Sequence, residues 1–180
     1  EDGGAGRLDG GAILFLLSPL IVRILNWPDI SVSEANQAAF GVLQAWPNWT
    51  SPFLNLVGPG GSGKSHLARI WAEQAGAHFI GLSELARVAP GQAAVVDDIV
   101  SLNPEQQEAL FHLYNRLVSG GALLLVSEQP LSRLHVATPD LASRLRAVPV
   151  VEILPPDDTL LEAVLRKRFD DRQLGVEQPV

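Results

Sequence analysis

With 180 residues, 47% of them hydrophobic and 18% charged, the chain is long enough for one main domain with a substantial core and too apolar to be disordered. Thirteen Lys+Arg against twenty Asp+Glu leave a formal net charge of −7, which excludes a protein that coats nucleic acid through a broad basic surface; no direct duplex DNA binding is expected. The lack of cysteine excludes disulfides and thiolate metal sites, and the four histidines are scattered, so a reducing cytoplasm is the expected location. The chain opens with Glu1 and contains no Met, so it reads as a fragment or a processed product.

Residues 1–11 carry five glycines and no apolar run, which predicts a flexible tail. Residues 12–25 are strongly apolar, but Pro19 and Arg23 interrupt them, and the run is shorter than the roughly 20 residues a membrane helix needs. An export signal wants a basic start, whereas Glu1, Asp2 and Asp9 precede this run with Arg7 alone as cation. No membrane is implied, and the segment is expected to pack on the domain or on a partner. Three parts are thus expected: a flexible and apolar segment over 1–28, a nucleotide-binding domain over 29–154, and the start of a helical lid over 155–180.

Ser33 can cap a helix over 33–46, with Ala39, Phe40, Leu43 and Trp46 on one face and Pro47 as its stop. Phe53-Leu54-Asn55-Leu56-Val57 is a short, largely apolar strand. Then comes Gly58-Pro59-Gly60-Gly61-Ser62-Gly63-Lys64-Ser65, which satisfies the G-x-x-x-x-G-K-[ST] phosphate-loop pattern at every fixed position. Glycines let the backbone turn tightly and aim N–H groups at phosphates; Lys64 reaches the β- and γ-phosphates and Ser65 offers a hydroxyl to Mg²⁺. A helix over 65–74, with Leu67, Ile70 and Trp71 at helical spacing, completes the strand-loop-helix order. His66 falls within that helix and is read as a residue near the nucleotide, not as a base.

Strands follow over 78–82 and 93–96, joined by a short connection over 83–92. Asn103-Pro104-Glu105-Gln106 has the cap, first-turn proline and third-position Gln of a helix start, and the helix runs to Gly120-Gly121. A fully apolar strand spans 122–126, a short helix opens at Pro139-Asp140 and ends near Arg146, a fifth strand spans 148–153, and a last helix covers roughly 160–169. Apolar strands alternating with helices predict an α/β fold in three layers around a parallel five-stranded sheet. Val95-Val96-Asp97-Asp98 ends the third strand in two acids: Asp97 is placed to support Mg²⁺, and Asp98 to orient or deprotonate water. Ser127 ends the fourth strand, where it can meet the γ-phosphate or the water, or act as a simple turn residue. Arg144 can serve a neighbouring nucleotide, and Arg146 reads as a surface ion-pair partner.

Gly58 to Leu67, ending Gly-Lys-Ser-His-Leu, resembles the AAA+ family, and within it the branch of the replication initiator DnaA and its regulatory relative Hda. Residues 32–36 resemble the segment that touches adenine, which brings in Asn36. Asp97-Asp98 resembles the Walker B acids, Ser127 stands at sensor 1, and Leu141-Ala142-Ser143-Arg144-Leu145 is similar to the box that carries the arginine finger. The compact connection over 83–92 resembles Hda, because DnaA carries a long DNA-gripping insertion there. The resemblance implies ADP or ATP with Mg²⁺ as ligands, and DnaA and the sliding clamp as partners. The implied action is hydrolysis of the ATP held by DnaA, stimulated through Arg144. Phe15-Leu16-Leu17-Ser18-Pro19-Leu20 agrees with the clamp peptide Gln-Leu-x-Leu-Pro-Leu at three positions. Most of the lid, with its sensor 2 arginine, is expected beyond Val180. An autonomous ATPase that loads or remodels another protein, a fragment of a DNA-binding initiator, and association with further copies of this chain remain open alternatives.

Overall fold

The computed structural model describes residues 31–158 and 162, within the unit Ser31–Val180. The tail, the apolar segment over 12–25 and, but for Glu162, the helix expected over 160–169 lie outside the described residues. The elements run in the order α1 (Gln37–Gln44), β1 (Phe53–Val57), α2 (Lys64–Ala75), β2 (His78–Ile80), a 3-10 turn (Leu85–Arg87), β3 (Ala93–Val96), α3 (Pro104–Val118), β4 (Ala122–Ser127), a second 3-10 turn (Leu131–Arg133), α4 (Pro139–Ala147) and β5 (Val150–Glu152).

The five strands form one sheet in the order β2-β3-β4-β1-β5, and every pairing is parallel. β1, β3 and β4 are buried at every residue, as a sheet covered on both faces requires. Alternation along the strands divides them between two layers. Phe53, Ala94, Val96, Leu123 and Leu125 join Leu110, Leu113 and Leu117 of α3 and Leu141 and Leu145 of α4 in one core. α2 packs on β2, β3 and β4, and against α1. It contributes the fully buried Trp71, on which Trp49 stacks at 5.0 Å while Trp46 meets it edge-on at 5.6 Å.

Several boundaries differ from the sequence reading: α1 ends at Gln44 and not at Trp46, β5 covers Val150–Glu152 and not 148–153, and two others have local reasons. α1 begins at Gln37 and not at Ser33, because polar side chains hold 31–36 in tight turns. The Ser33 hydroxyl accepts from Ala35 N–H, and the Asn36 amide reaches back to accept from Ser33 N–H and donate to the Ser31 carbonyl. β2 stops at Ile80 because Gly81 N–H turns to the Glu84 carboxylate. The connection that follows is held by Arg116 of α3, which donates to the carbonyls of Leu85 and Val88. α3 itself begins as read, with reciprocal bonds between Asn103 and Gln106. Among the described residues no helix is long and apolar enough to cross a membrane.

A fully buried amide stands in the middle of the sheet. Asn55 of β1 is fully buried; its amide donates to the Leu125 carbonyl and the Ser127 hydroxyl, and its oxygen accepts from Leu131 N–H. Asn55→Leu strands those partners without water, so urea unfolding is expected to show a loss of about 2–4 kcal/mol; a loss under about 1 kcal/mol would mean that the network is dispensable.

Candidate functional site

The carboxyl ends of β1, β3 and β4 converge, and that edge of an open parallel sheet is where ligands bind. β1 ends at Val57, opposite Ser127 of β4, and the chain turns at Gly58 into the phosphate-loop motif. Gly58 admits no side chain, since a Cβ there would lie 2.5 Å from the Ile153 carbonyl oxygen just beyond β5. Gly61 and Gly63 adopt φ of 76° and 91°, where an L side chain is strained. Gly63 is the N-cap of α2, and no side chain caps that end. The first-turn N–H groups and the positive end of the helix dipole are therefore available to an anion.

The side chains complete the anion site. Lys64 donates its ammonium to the carbonyls of Gly58 and Pro59 at 2.6 and 2.7 Å, which places the cation against the mouth of the loop. Ser62 is buried within the loop, and its hydroxyl has no partner among the described residues. Ser65 and His66 are exposed on the first turn of α2, while Pro59 and Gly60 are exposed at the loop's outer bend. A cation, orphan N–H groups and an unpaired hydroxyl around glycine turns are what a polyphosphate requires.

Asp97 and Asp98 follow β3. The Asp97 carboxylate accepts from Asp98 N–H at 2.9 Å, and Ile99 N–H returns to the Val126 carbonyl of β4 at 3.0 Å, so the acidic turn is tied to the neighbouring strand. Asp98 has φ of 57° and is the one non-glycine with positive φ among the described residues. Holding a carboxylate-bearing residue there costs free energy, as functional positions often do. Ser127 is buried, accepts from Asn55, and donates to the Gln129 carbonyl at 2.7 Å. Its hydroxyl proton is thus engaged within the strand-end turn.

Two further residues belong to this edge. Glu128 follows Ser127, and its carboxylate lies 3.3 Å from where a Gly60 Cβ would stand. An acid directly after a buried strand was the signal for it, the same signal that singles out Asp97 and Asp98. Asn55 aligns Ser127 from below, and a lone amide in an apolar strand was its signal. Asn36, by contrast, directs its amide into residues 31–33. It shapes the segment that meets β5, where Leu154 N–H donates to the Ala35 carbonyl.

Arg144 stands apart from the loop. From α4 its guanidinium lies over the rings of Phe111 and Tyr114 of α3, at 4.4 and 5.2 Å from their centroids, and it donates to the Asn115 amide oxygen. Arg146 is exposed. Elsewhere, desolvation pushes up the Glu73 carboxyl in the last turn of α2, at the opposite end of that helix from the loop. Among the described residues no three or more His, Cys, Asp or Glu converge as a metal cage. A hard cation would rely on Ser65, Asp97, water and phosphate oxygens, a donor set that suits Mg²⁺.

No family model matches the chain. An uncharacterized protein of Haemophilus influenzae is 36% identical over 111 residues, covering 52% of this chain and 48% of that protein. Among solved structures, a DNA replication initiation factor superposes with a TM-score of 0.72 at 19% identity, over 85% of this chain and 56% of that one. The replication initiator DnaA bound to AMPPCP and single-stranded DNA gives 0.69 at 19% identity, over 86% and 57%. DnaI gives 0.57 at 14% identity, over 77% and 92%. The chain spans about half the length of the first of these relatives. The likeness shows the fold, a three-layered α/β domain around a parallel five-stranded sheet.

The backbone at Asp98 offers a test that needs no ligand. Asp98→Gly, which removes the strain, is expected to be at least as stable as the wild type, whereas the β-branched Asp98→Val loses about 1–2 kcal/mol in chemical denaturation. Equal stability of the two variants would mean that the turn is not held at positive φ.

Proposed function

We propose that the chain is an Hda-like AAA+ regulator of replication initiation that binds ADP or ATP and promotes hydrolysis of ATP held by DnaA, in concert with the sliding clamp. The observation that carries this reading is the division between two sites. A complete phosphate loop with its acidic strand end occupies the sheet edge, while Arg144 makes its contacts on α3 and none with that loop. An arginine so placed is of use to a phosphate on another chain, and a guanidinium that stabilises transition-state charge in trans accelerates hydrolysis by roughly 10³–10⁵. The short connection over 83–92 supports the same branch, since it holds only a 3-10 turn and no long insertion.

Within the chain's own site, the loop N–H groups, Lys64 and Ser62 would hold the phosphates, and Ser65 and Asp97 would hold Mg²⁺, whose charge would offset that of the phosphate oxygens. Three carboxylates, Asp97, Asp98 and Glu128, stand at the same edge as the loop. They would repel a polyphosphate that arrived without a cation. Asp98 orients the water, and Ser127 reports on the γ-phosphate by redirecting the proton it gives to Gln129. Intrinsic turnover in this scheme is slow, and bound ADP is the resting ligand.

A second reading, an autonomous ATPase acting as a loader or remodeller, is favoured by the superposition on DnaI. Radiolabelled ATP prebound to DnaA, in the presence of DNA-loaded clamp, separates the two. The regulator reading expects stimulated hydrolysis with the intact protein and a return to the rate of DnaA alone with Arg144→Ala. The loader reading expects no stimulation of DnaA, and steady ATP turnover by the chain itself that Lys64→Ala and Asp98→Asn each abolish.

A further inference from the structure

Arg144, like the structural Arg116, is held by neutral partners, but by aromatic faces and an amide in place of backbone carbonyls. A carboxylate is the partner that binds a guanidinium most strongly, often bidentately. Asp140 stands one turn earlier on α4, at the i,i+4 spacing that permits an ion pair. Yet the ion pairs among the described residues are Arg87–Glu84 and His112–Glu108, and neither involves Arg144. Among the described residues its guanidinium is turned to α3 and held by neutral partners, the faces of Phe111 and Tyr114 and the Asn115 amide oxygen.

This seat is itself rigid. Tyr114 stacks on the buried Phe53 of β1 with ring centroids 3.9 Å apart and an interplanar angle of 14°, so one wall of the seat is anchored in the central sheet. Arg144 remains half-buried, neither sealed in the core nor free in solvent. Aromatic faces and an amide oxygen fix the position of a cation while leaving its formal charge uncancelled.

We propose that Phe111, Tyr114 and Asn115 form a charge-preserving cradle that positions Arg144 to receive an anionic oxygen, a nucleotide phosphate, from a second protein. The inference rests on the trans-acting role given to Arg144 above and adds the three positioning residues. Neutral partners are what the role demands: a carboxylate would hold the side chain equally well but would cancel the field that a developing phosphate charge needs. The fixed rings reduce the rotamer freedom that a long exposed arginine would otherwise lose at the moment of docking.

The test is Asn115→Asp, which keeps the size of the side chain and its acceptor but places a carboxylate on Arg144. A purely structural role would be served as well or better by the resulting ion pair. The cradle instead expects hydrolysis of ATP on DnaA to fall by about 10-fold or more, with an unchanged or raised midpoint of thermal unfolding and unchanged affinity of the chain for its own ADP. Phe111→Leu, which removes one ring face from the seat, is expected to lose stimulation several-fold. Wild-type stimulation by Asn115→Asp, with Arg144→Ala inactive, overturns the cradle and leaves the finger standing. Faster stimulation by Asn115→Ala also overturns it, since the contact would then be a restraint. Equal rates for wild type and Arg144→Ala remove the finger and the cradle together.

Discussion

The buried amide of Asn55 is the constraint on which the site depends. It stands in a strand with no exposure to water, and its two donors and one acceptor are met by Leu125, Ser127 and Leu131. Desolvating such a group is costly unless every bond is made, so the network contributes more to uniqueness than to net stability. A slip of one residue between β1 and β4 would turn Asn55 toward the α2 layer and leave the amide unpaired. The native register sets Val57 opposite Ser127, and therefore sets the first glycine of the phosphate loop beside the end of β4, where Gly58 N–H donates to the Ser127 carbonyl. The alignment of the functional edge follows from one polar side chain in an apolar sheet.

That edge is arranged by backbone as much as by side chains. Ile153 N–H pairs with the Val57 carbonyl at 2.7 Å, which brings the Ile153 carbonyl against Gly58 and leaves glycine as the residue that fits. The close approach of β5 thus fixes where the loop starts, and the left-handed turns at Gly61 and Gly63 fix where it ends. On the far side, the turn at Asp98 uses the same backbone region without the glycine that would make it easy. Glycine suits a loop whose free groups are backbone N–H donors. The acidic turn instead keeps two carboxylates at the sheet edge, one of them at a positive φ.

The physical signals explain how much could be read from sequence. β1 and β3 were legible to the residue because both are buried runs bounded by turn chemistry, and α3 because the Asn103–Gln106 capping box and Gly120-Gly121 mark both ends. The phosphate loop was legible because its glycines, Lys64 and Ser65 stand in one contiguous stretch. α1 started late because Ser33 and Asn36 can bond to the backbone in more than one way, and the sequence does not say which they choose. β2 and β5 came out shorter because edge strands have one partner to define them. The seat of Arg144 was hidden, because it joins side chains about 30 positions apart that meet through the packing of α4 on α3. Periodicity marks Phe111 and Tyr114 as members of a helix and says nothing of a guanidinium above them.

The two cations singled out in the sequence are treated alike in the fold and differ in where they point. Lys64 is held by the carbonyls of Gly58 and Pro59, and Arg144 by two rings and an amide. Neither has a carboxylate partner among the described residues, in a chain whose acids outnumber its bases by twenty to thirteen. A cation kept free of carboxylates retains its attraction for phosphate, and dipolar acceptors hold it in place without cancelling that attraction. Lys64 lies at the mouth of the chain's own loop, whereas Arg144 is seated on a different helix layer with no contact to it. The same electrostatic device suits a phosphate at this chain's own loop in one place and, in the proposed reading, a phosphate carried by another chain in the second.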